Sequence, residues 1–129
     1  MDDDIRYVLT ELKTWAVVGC SPHPWRDSHR IAAMLKARGY RVIPVNPEIT
    51  EVLGEPCHPR LPARHGIEVV DLFRRSSKVA AHVDEAIEIG ARAVWMQLGV
   101  IDHDAAERAR AAGLRVVMDR CPAIELPRL

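Results

Sequence analysis

Between Gly19 and His29 the chain reads Gly-Cys-Ser-Pro-His-Pro-Trp-Arg-Asp-Ser-His. An apolar run, Trp15 to Val18, precedes this stretch and a helical pattern follows it, so it joins a strand to the N-terminus of a helix. Free backbone N–H groups and the helix dipole attract phosphate at such a junction. Ser21 and Ser28 can donate hydroxyls, and Arg26 can clamp a phosphate through its guanidinium. The P-loop pattern GxxxxGK[ST] is absent, and Gly19 is not followed by the further glycines of the dinucleotide fingerprint. The second strand ends in Val45-Asn46-Pro47, with Glu48 only after the proline, rather than in an acid placed for an NAD ribose. A nicotinamide or flavin dinucleotide therefore loses ground to a different phosphate-bearing nucleotide.

Other reactive side chains point less clearly to chemistry. Cys20, His23, Cys57, His58 and Cys121 include zinc's preferred ligand types, but only Cys20-x-x-His23 has short ligand spacing. Small cysteines at strand ends and solvated histidines explain the same residues, and no metal site is assigned. Asp119-Arg120-Cys121 reads as a nucleophile beside an ion pair or as a structural Asp–Arg pair holding the C-terminal turn. The structural reading is preferred, since no histidine is tied to the cysteine. Asp71 ends a strand, where a carboxylate commonly accepts backbone N–H groups. No catalytic residue is assigned.

The elements that must position these residues follow a regular grammar. Ile5, Val8, Leu9 and Leu12 mark one face of a first helix over about residues 2–12, with Asp2, Asp3 and Asp4 complementing its dipole. Strands are expected at Trp15–Val18, Tyr40–Val45, Glu68–Leu72, Ala93–Met96 and Val116–Met118. Helices are expected between them, the first capped by Asp27 or Ser28, a later one opened by Ser76 or Ser77, another capped by Asp102. Gly39, Gly66, Gly90 and Gly113 each precede a strand, reaching the left-handed turn that sends the chain back to the sheet. Short apolar strands alternating with helices predict a single α/β domain with an open, doubly wound, Rossmann-like parallel sheet of about five strands, in the order 3-2-1-4-5. Between Pro47 and Gly66, Pro56, Pro59 and Pro62 exclude a sustained helix. That crossover leaves one sheet face short of cover, to be met by a partner subunit (a homodimer), a ligand or its own side chains. The tail from Pro122 to Leu129 is expected to be poorly ordered or packed on a neighbour.

Composition bounds the rest. The chain has 129 residues, enough for one core and too few for two. Lys+Arg and Asp+Glu number 18 each, and this balance argues against nucleic acid or a polybasic membrane contact. No apolar run approaches a membrane span, the N-terminus lacks a secretory pattern, and three widely spaced cysteines make no disulfide framework. A soluble cytoplasmic domain is expected. In an open parallel sheet, ligands bind beyond the carboxyl ends of the strands. Polar, glycine and cysteine residues gather at those ends: Gly19-Cys20-Ser21-Pro22, Asn46-Pro47, Asp71 to Arg74, Gln97 to Val100 and Asp119-Arg120-Cys121.

The strand-end set VVGCSP, VIPVNP, VVDLFR, AVWMQLGV and VVMDRC resembles the stand-alone coenzyme A-binding proteins. These in turn are similar to the CoA-binding domain of the succinyl-CoA synthetase alpha subunit. The resemblance runs from about Trp15 to Cys121, with five motifs in register. It implies CoA or an acyl-CoA as ligand. Gly19, Cys20, Ser21, Pro22, Arg26 and Ser28 would hold the phosphates, and Val45, Asn46 and Pro47 would flank the adenosine. Leu72, Phe73 and Arg74 with Gln97, Leu98 and Gly99 would line the adenine and pantetheine groove. The family often places a basic residue after the strand-2 proline, where Glu48 stands here. The chain is too short for the synthetase's ligase domain, so binding without catalysis is the expectation. Two alternatives remain: a small acyl-CoA-acting enzyme using Cys20 or Asp119, and an interaction module with a vestigial groove. Cys20 at a helix N-terminus would have a lowered pKa, suited to a mixed disulfide with the CoA thiol, or be an inert buried thiol.

Overall fold

The computed structural model describes residues 2–129. Helix α1 spans Asp3–Glu11, and the Asp2 carboxylate caps it by accepting the Asp4 N–H at 2.7 Å. Strand β1 (Thr14–Val18), helix α2 (Asp27–Ala37) and strand β2 (Arg41–Val45) follow. A small antiparallel ribbon comes next, β3 (Glu51–Val52) and β4 (Glu55–Pro56). Its turn residues Leu53 and Gly54 both have positive φ, the requirement of a two-residue hairpin turn. The remaining elements are β5 (Val69–Leu72), α3 (Val79–Glu88), β6 (Ala93–Met96), α4 (His103–Ala111), β7 (Arg115–Val117) and α5 (Pro122–Glu125). Asp102 caps α4 as expected, accepting the Ala105 N–H at 3.0 Å.

β1, β2, β5, β6 and β7 form one parallel sheet with a core on each face. Ile31 and Leu35 of α2 pack with Ile5, Val8 and Leu9 of α1 over Trp15 and Trp95 on one face. Val79 and Val83 of α3 and the alanines Ala105, Ala106 and Ala109 of α4 cover Val70, Val94 and Val116 on the other. The architecture is thus doubly wound, α/β and Rossmann-like. Trp15 and Trp95 are fully buried packing residues, with ring centroids 5.5 Å apart. Their indole N–H groups are satisfied by the carbonyls of Leu12 and Arg120, each at 2.9 Å.

Counted in chain order within this sheet, the strands run 2-1-3-4-5, not 3-2-1-4-5. Two physical facts explain the correction. β2 contains Pro44, whose missing N–H suits an edge strand and disfavours a central one. The outer side of β2 is also occupied: the His58 N–H donates to Pro44 O at 3.0 Å and the Asn46 N–H to His58 O at 2.9 Å. The chain then crosses to pair β5 with the opposite side of β1. On its way, Leu61 and Ile67 bury themselves in the core cluster that holds Ile43 and Val45. The short-covered face is therefore met by the crossover's own side chains.

The C-terminal stretch is also more ordered than expected. Pro122 opens α5 at a position where a proline costs no hydrogen bond, a 3-10 turn follows over Leu126–Arg128, and Leu126 is buried in the α1–α2 core.

Candidate functional site

The chain reverses direction around β1: α2 returns to β2 on one side, while β5 lies on the other. The crevice between the ends of β1 and β5 is the topological switch point where ligands of such sheets bind. It lies beside the third strand of the sheet rather than the fourth, a direct consequence of the corrected order. Gly19 sits here with φ +83°, and a Cβ on it would lie 2.5 Å from the Phe73 carbonyl oxygen. Only a glycine lets the two strand-end loops pass this closely. Gly19 N–H donates to Val45 O at 2.9 Å and Phe73 N–H to Val18 O at 2.9 Å, fixing both loops to the strands.

Side chains then shape the loop. Asp27 or Ser28 is the cap that the sequence predicts, but Arg26 is the N-cap residue and makes no side-chain cap bond. The buried Ser28 hydroxyl instead accepts the Ser21 N–H at 2.9 Å, and Ser21 Oγ accepts the His23 N–H at 3.1 Å. Asn46 ties the second strand end to the first, donating through Nδ2 to Cys20 O at 2.9 Å. Its Oδ1 accepts the Glu48 N–H at 2.9 Å, which leaves Glu48 exposed on a turn.

These contacts open a cleft of about 660 Å³. It brings together five of the expected residues, Gly19, Ser21, Arg26, Ser28 and Phe73. A second cavity of about 310 Å³ holds Phe73 with Gln97 and Leu98 and shares Asp27 and Arg30 with the first. Arg30 is committed to the fold, pairing with Asp27 and donating to Trp25 O at 2.6 Å. Arg26 is exposed, with no side-chain partner among the described residues. A third cavity, beyond Leu98 and Cys121, is bounded by Asp2 at one end of the chain and Arg128 at the other.

The remaining expected residues stand elsewhere. The side chains of Cys20, Val45 and Leu72 are buried in the cores, so a ligand could meet only their backbone. Pro22 and Pro47 are exposed and line neither of the first two cavities. Arg74 is half-buried beside Gly19, and the Gly99 N–H donates to Asp119 Oδ1 at 2.7 Å. That bond replaces the expected Asp119–Arg120 ion pair. The sequence reading gave no ligand role to Trp25, which is 68% exposed and stacks on His23 at 4.6 Å, nor to Ile31 and Val100 in the second cavity. For Ile31 the signal was its place one turn after Asp27 on the same face of α2.

Burial sets the site's electrostatics. The Cys20 thiol is pushed up to about 12, chiefly by desolvation and further by Cys57 and Asp71 nearby. A thiolate poised by a helix N-terminus is therefore overturned: at neutral pH Cys20 is a buried, protonated thiol. Asp71 is completely buried at the end of β5 and pushed up to about 8 by desolvation, against the lowering effect of its hydrogen bond from Gln97. Gln97 Nε2 donates to Asp71 Oδ1 at 2.6 Å, while Oδ2 has no partner among the described residues.

A family model described as "CoA binding domain" matches residues 13–127. The chain belongs to this CoA-binding domain family. Among relatives, it is 36% identical over 119 residues to the uncharacterized protein YneT of Bacillus subtilis, covering 92% of this chain and 88% of that one. A hypothetical protein from Pyrococcus horikoshii OT3 is 43% identical with a TM-score of 0.94, over 100% of this chain and 92% of that one. The dinucleotide forming acetyl-coenzyme A synthetase 1 of Ca. Korarchaeum cryptofilum shares the fold at a TM-score of 0.74 and 22% identity. That match covers 88% of this chain and 27% of the larger one. No helix of the described residues is long and apolar enough to cross a membrane.

Proposed function

We propose that this CoA-binding domain protein holds coenzyme A, or an acyl-CoA, along the carboxyl edge of its sheet, in the cytoplasm and without chemistry of its own. The observation that carries the reading is the cleft at the switch point. Gly19 admits the close approach of two loops there, and the uncommitted guanidinium of Arg26 stands at the N-terminus of α2. A pyrophosphate suits that end, where helix N–H groups and a free arginine favour a group with two negative charges. The adjoining, less polar cavity suits the pantetheine arm. Gly19, Ser21, Arg26 and Ser28 are proposed phosphate contacts, with Cys20 and Pro22 shaping the loop that holds them. Val45, Asn46 and Pro47 are proposed at the adenosine, and Leu72, Phe73, Arg74, Gln97, Leu98 and Gly99 along the groove.

Cys20 is buried and protonated, and the Asp119 carboxylate is occupied by the Gly99 N–H. Cys20 is therefore no ready nucleophile, and Asp119 serves to fix the loop after β6. Thermal unfolding with added ligand tests the proposal, because a ligand that binds only the folded state must raise the melting temperature. CoA should raise it while NAD and NADP leave it in place. A shift with NAD equal to that with CoA would refute the assignment.

A further inference from the structure

The third cavity is set apart by what its walls leave uncovered. Five large apolar side chains stand exposed among the described residues, and two of them, Leu98 at 57% and Ile124 at 43%, line this one cavity. The polar side chains around them are already engaged. Asp119 Oδ1 accepts the Gly99 N–H, and Arg120 donates to the Asp119 carbonyl at 3.1 Å. Glu125 pairs with Arg128 at 3.4 Å, and Asp2 caps α1. What the cavity offers a ligand is therefore apolar surface, whose removal from water is favourable.

The cavity is also the next space along the sheet edge. The phosphate cleft lies between the ends of β1 and β5, the second cavity reaches Gln97 and Leu98 after β6, and the third is walled by Asp119 to Cys121 after β7. The second and third share Leu98 and Cys121, so they meet at a common rim. From the crevice to the end of β7 is a distance of about 12 Å, half a strand spacing to β5 and one more each to β6 and β7. The pantetheine arm has about twelve bonds from phosphate oxygen to sulfur, as many as an extended backbone of about four residues, and so spans roughly 13 Å. An arm laid across the second cavity thus brings its sulfur to the rim at Leu98 and Cys121. Whatever the sulfur carries passes into the third cavity.

Resting on the reading of the cleft as a CoA phosphate site and of the second cavity as the seat of the pantetheine arm, we infer that the third cavity is an acyl site. The preferred ligand is then a CoA thioester with a short, uncharged acyl chain, its alkyl part lying between Leu98 and Ile124. At about 390 Å³ the cavity has room for such a chain. Free CoA stops at the rim and leaves both side chains in water, so the acyl group is what separates one ligand from another.

Titration calorimetry on the intact chain tests this with CoA, acetyl-, butyryl- and hexanoyl-CoA. Affinity should rise along the series, by up to about fourfold per methylene taken out of water. Ile124→Asp isolates the acyl end, because Ile124 lines the third cavity and neither of the other two. An acid also suits the first turn of α5, and an unchanged circular dichroism spectrum checks the fold. In that variant CoA should bind as it does to the wild type, while the ratio of hexanoyl-CoA to CoA affinity falls toward one. Ile124→Ala, which only trims the side chain, should lower the ratio in the same direction. Measurable CoA binding with no gain along the series overturns the acyl site and leaves the CoA reading intact. An undiminished gradient in both variants overturns it too, by placing the chain elsewhere, and so does an equal loss of CoA and hexanoyl-CoA binding. Failure of CoA and of every thioester to bind the wild type overturns the CoA reading itself.

Discussion

Two side chains at the sheet edge show how differently charge is handled there. Arg26 is exposed and unpaired, so its energetic value lies in what it meets from solution. Arg26→Ala should weaken CoA by about 1–3 kcal/mol, the scale of a charge-assisted hydrogen bond to phosphate, while leaving the melting temperature of the free protein nearly unchanged. Calorimetry at two salt concentrations checks it, since the loss should shrink as ionic strength rises. Asp71 is the opposite case. In the unfolded chain it ionises near its ordinary 3.8, in the fold near about 8. Between those values the unfolded state has released a proton that the fold retains. Asp71's contribution to stability is thus full below the lower value and falls as pH rises, by up to about 1.4 kcal/mol per pH unit, until the upper value is passed. Asp71→Asn removes that ionisation, so denaturation curves at pH 5, 6 and 7 should show a flatter pH dependence than the wild type. Parallel pH profiles for the two proteins would show that Asp71 titrates normally. The residue types at the site were legible in the sequence, but the burial of Cys20 and Asp71 was not. Whether a strand-end side chain faces core or crevice depends on the pleat and on the neighbouring strands, and one residue's shift inverts it.

At the scale of elements, the alternation of strand and helix could be read almost residue by residue, because glycine turns and apolar runs are local signals. The order of the strands is not local. It depends on where a proline-rich crossover travels, and only Pro44 hinted that β2 had to be an edge. Pro122 likewise announced a helix start that the short, proline-flanked tail concealed. The crossover's packing carries a measurable consequence. Leu61 is buried in the core cluster that includes Ile43 and Val45, covering a sheet face where no helix lies. Leu61→Ala should cost about 2–5 kcal/mol, the range for truncating a buried leucine, read from urea unfolding midpoints. A cost below about 1 kcal/mol would mean that the segment is loosely held and the face is in effect open.

Across the whole molecule, the carboxyl edge of the sheet holds the cleft and the cavity that adjoins it, while α1 braces the sheet along its flank. Arg115 of β7 pairs with Asp4 of α1 at 3.0 Å and lies 3.9 Å from the centre of the Tyr7 ring. Exposed pairs of this kind contribute little singly, about 0–1 kcal/mol, so the brace rests mainly on the buried Ile5, Val8 and Leu9. The same arrangement brings Asp2 and Arg128 to one cavity, so the two ends of the chain are near neighbours in space. Neighbouring surface ends are what circular permutation requires. A short Gly/Ser linker could join Leu129 to Asp2, with new ends opened between the exposed residues Ala63 and Arg64 in the crossover turn. Such a permutant should unfold cooperatively and retain the wild-type circular dichroism spectrum. It would also turn β5, α3 and β6 into the first elements to leave the ribosome, so its refolding rate against the wild type would report which half of the sheet must form first.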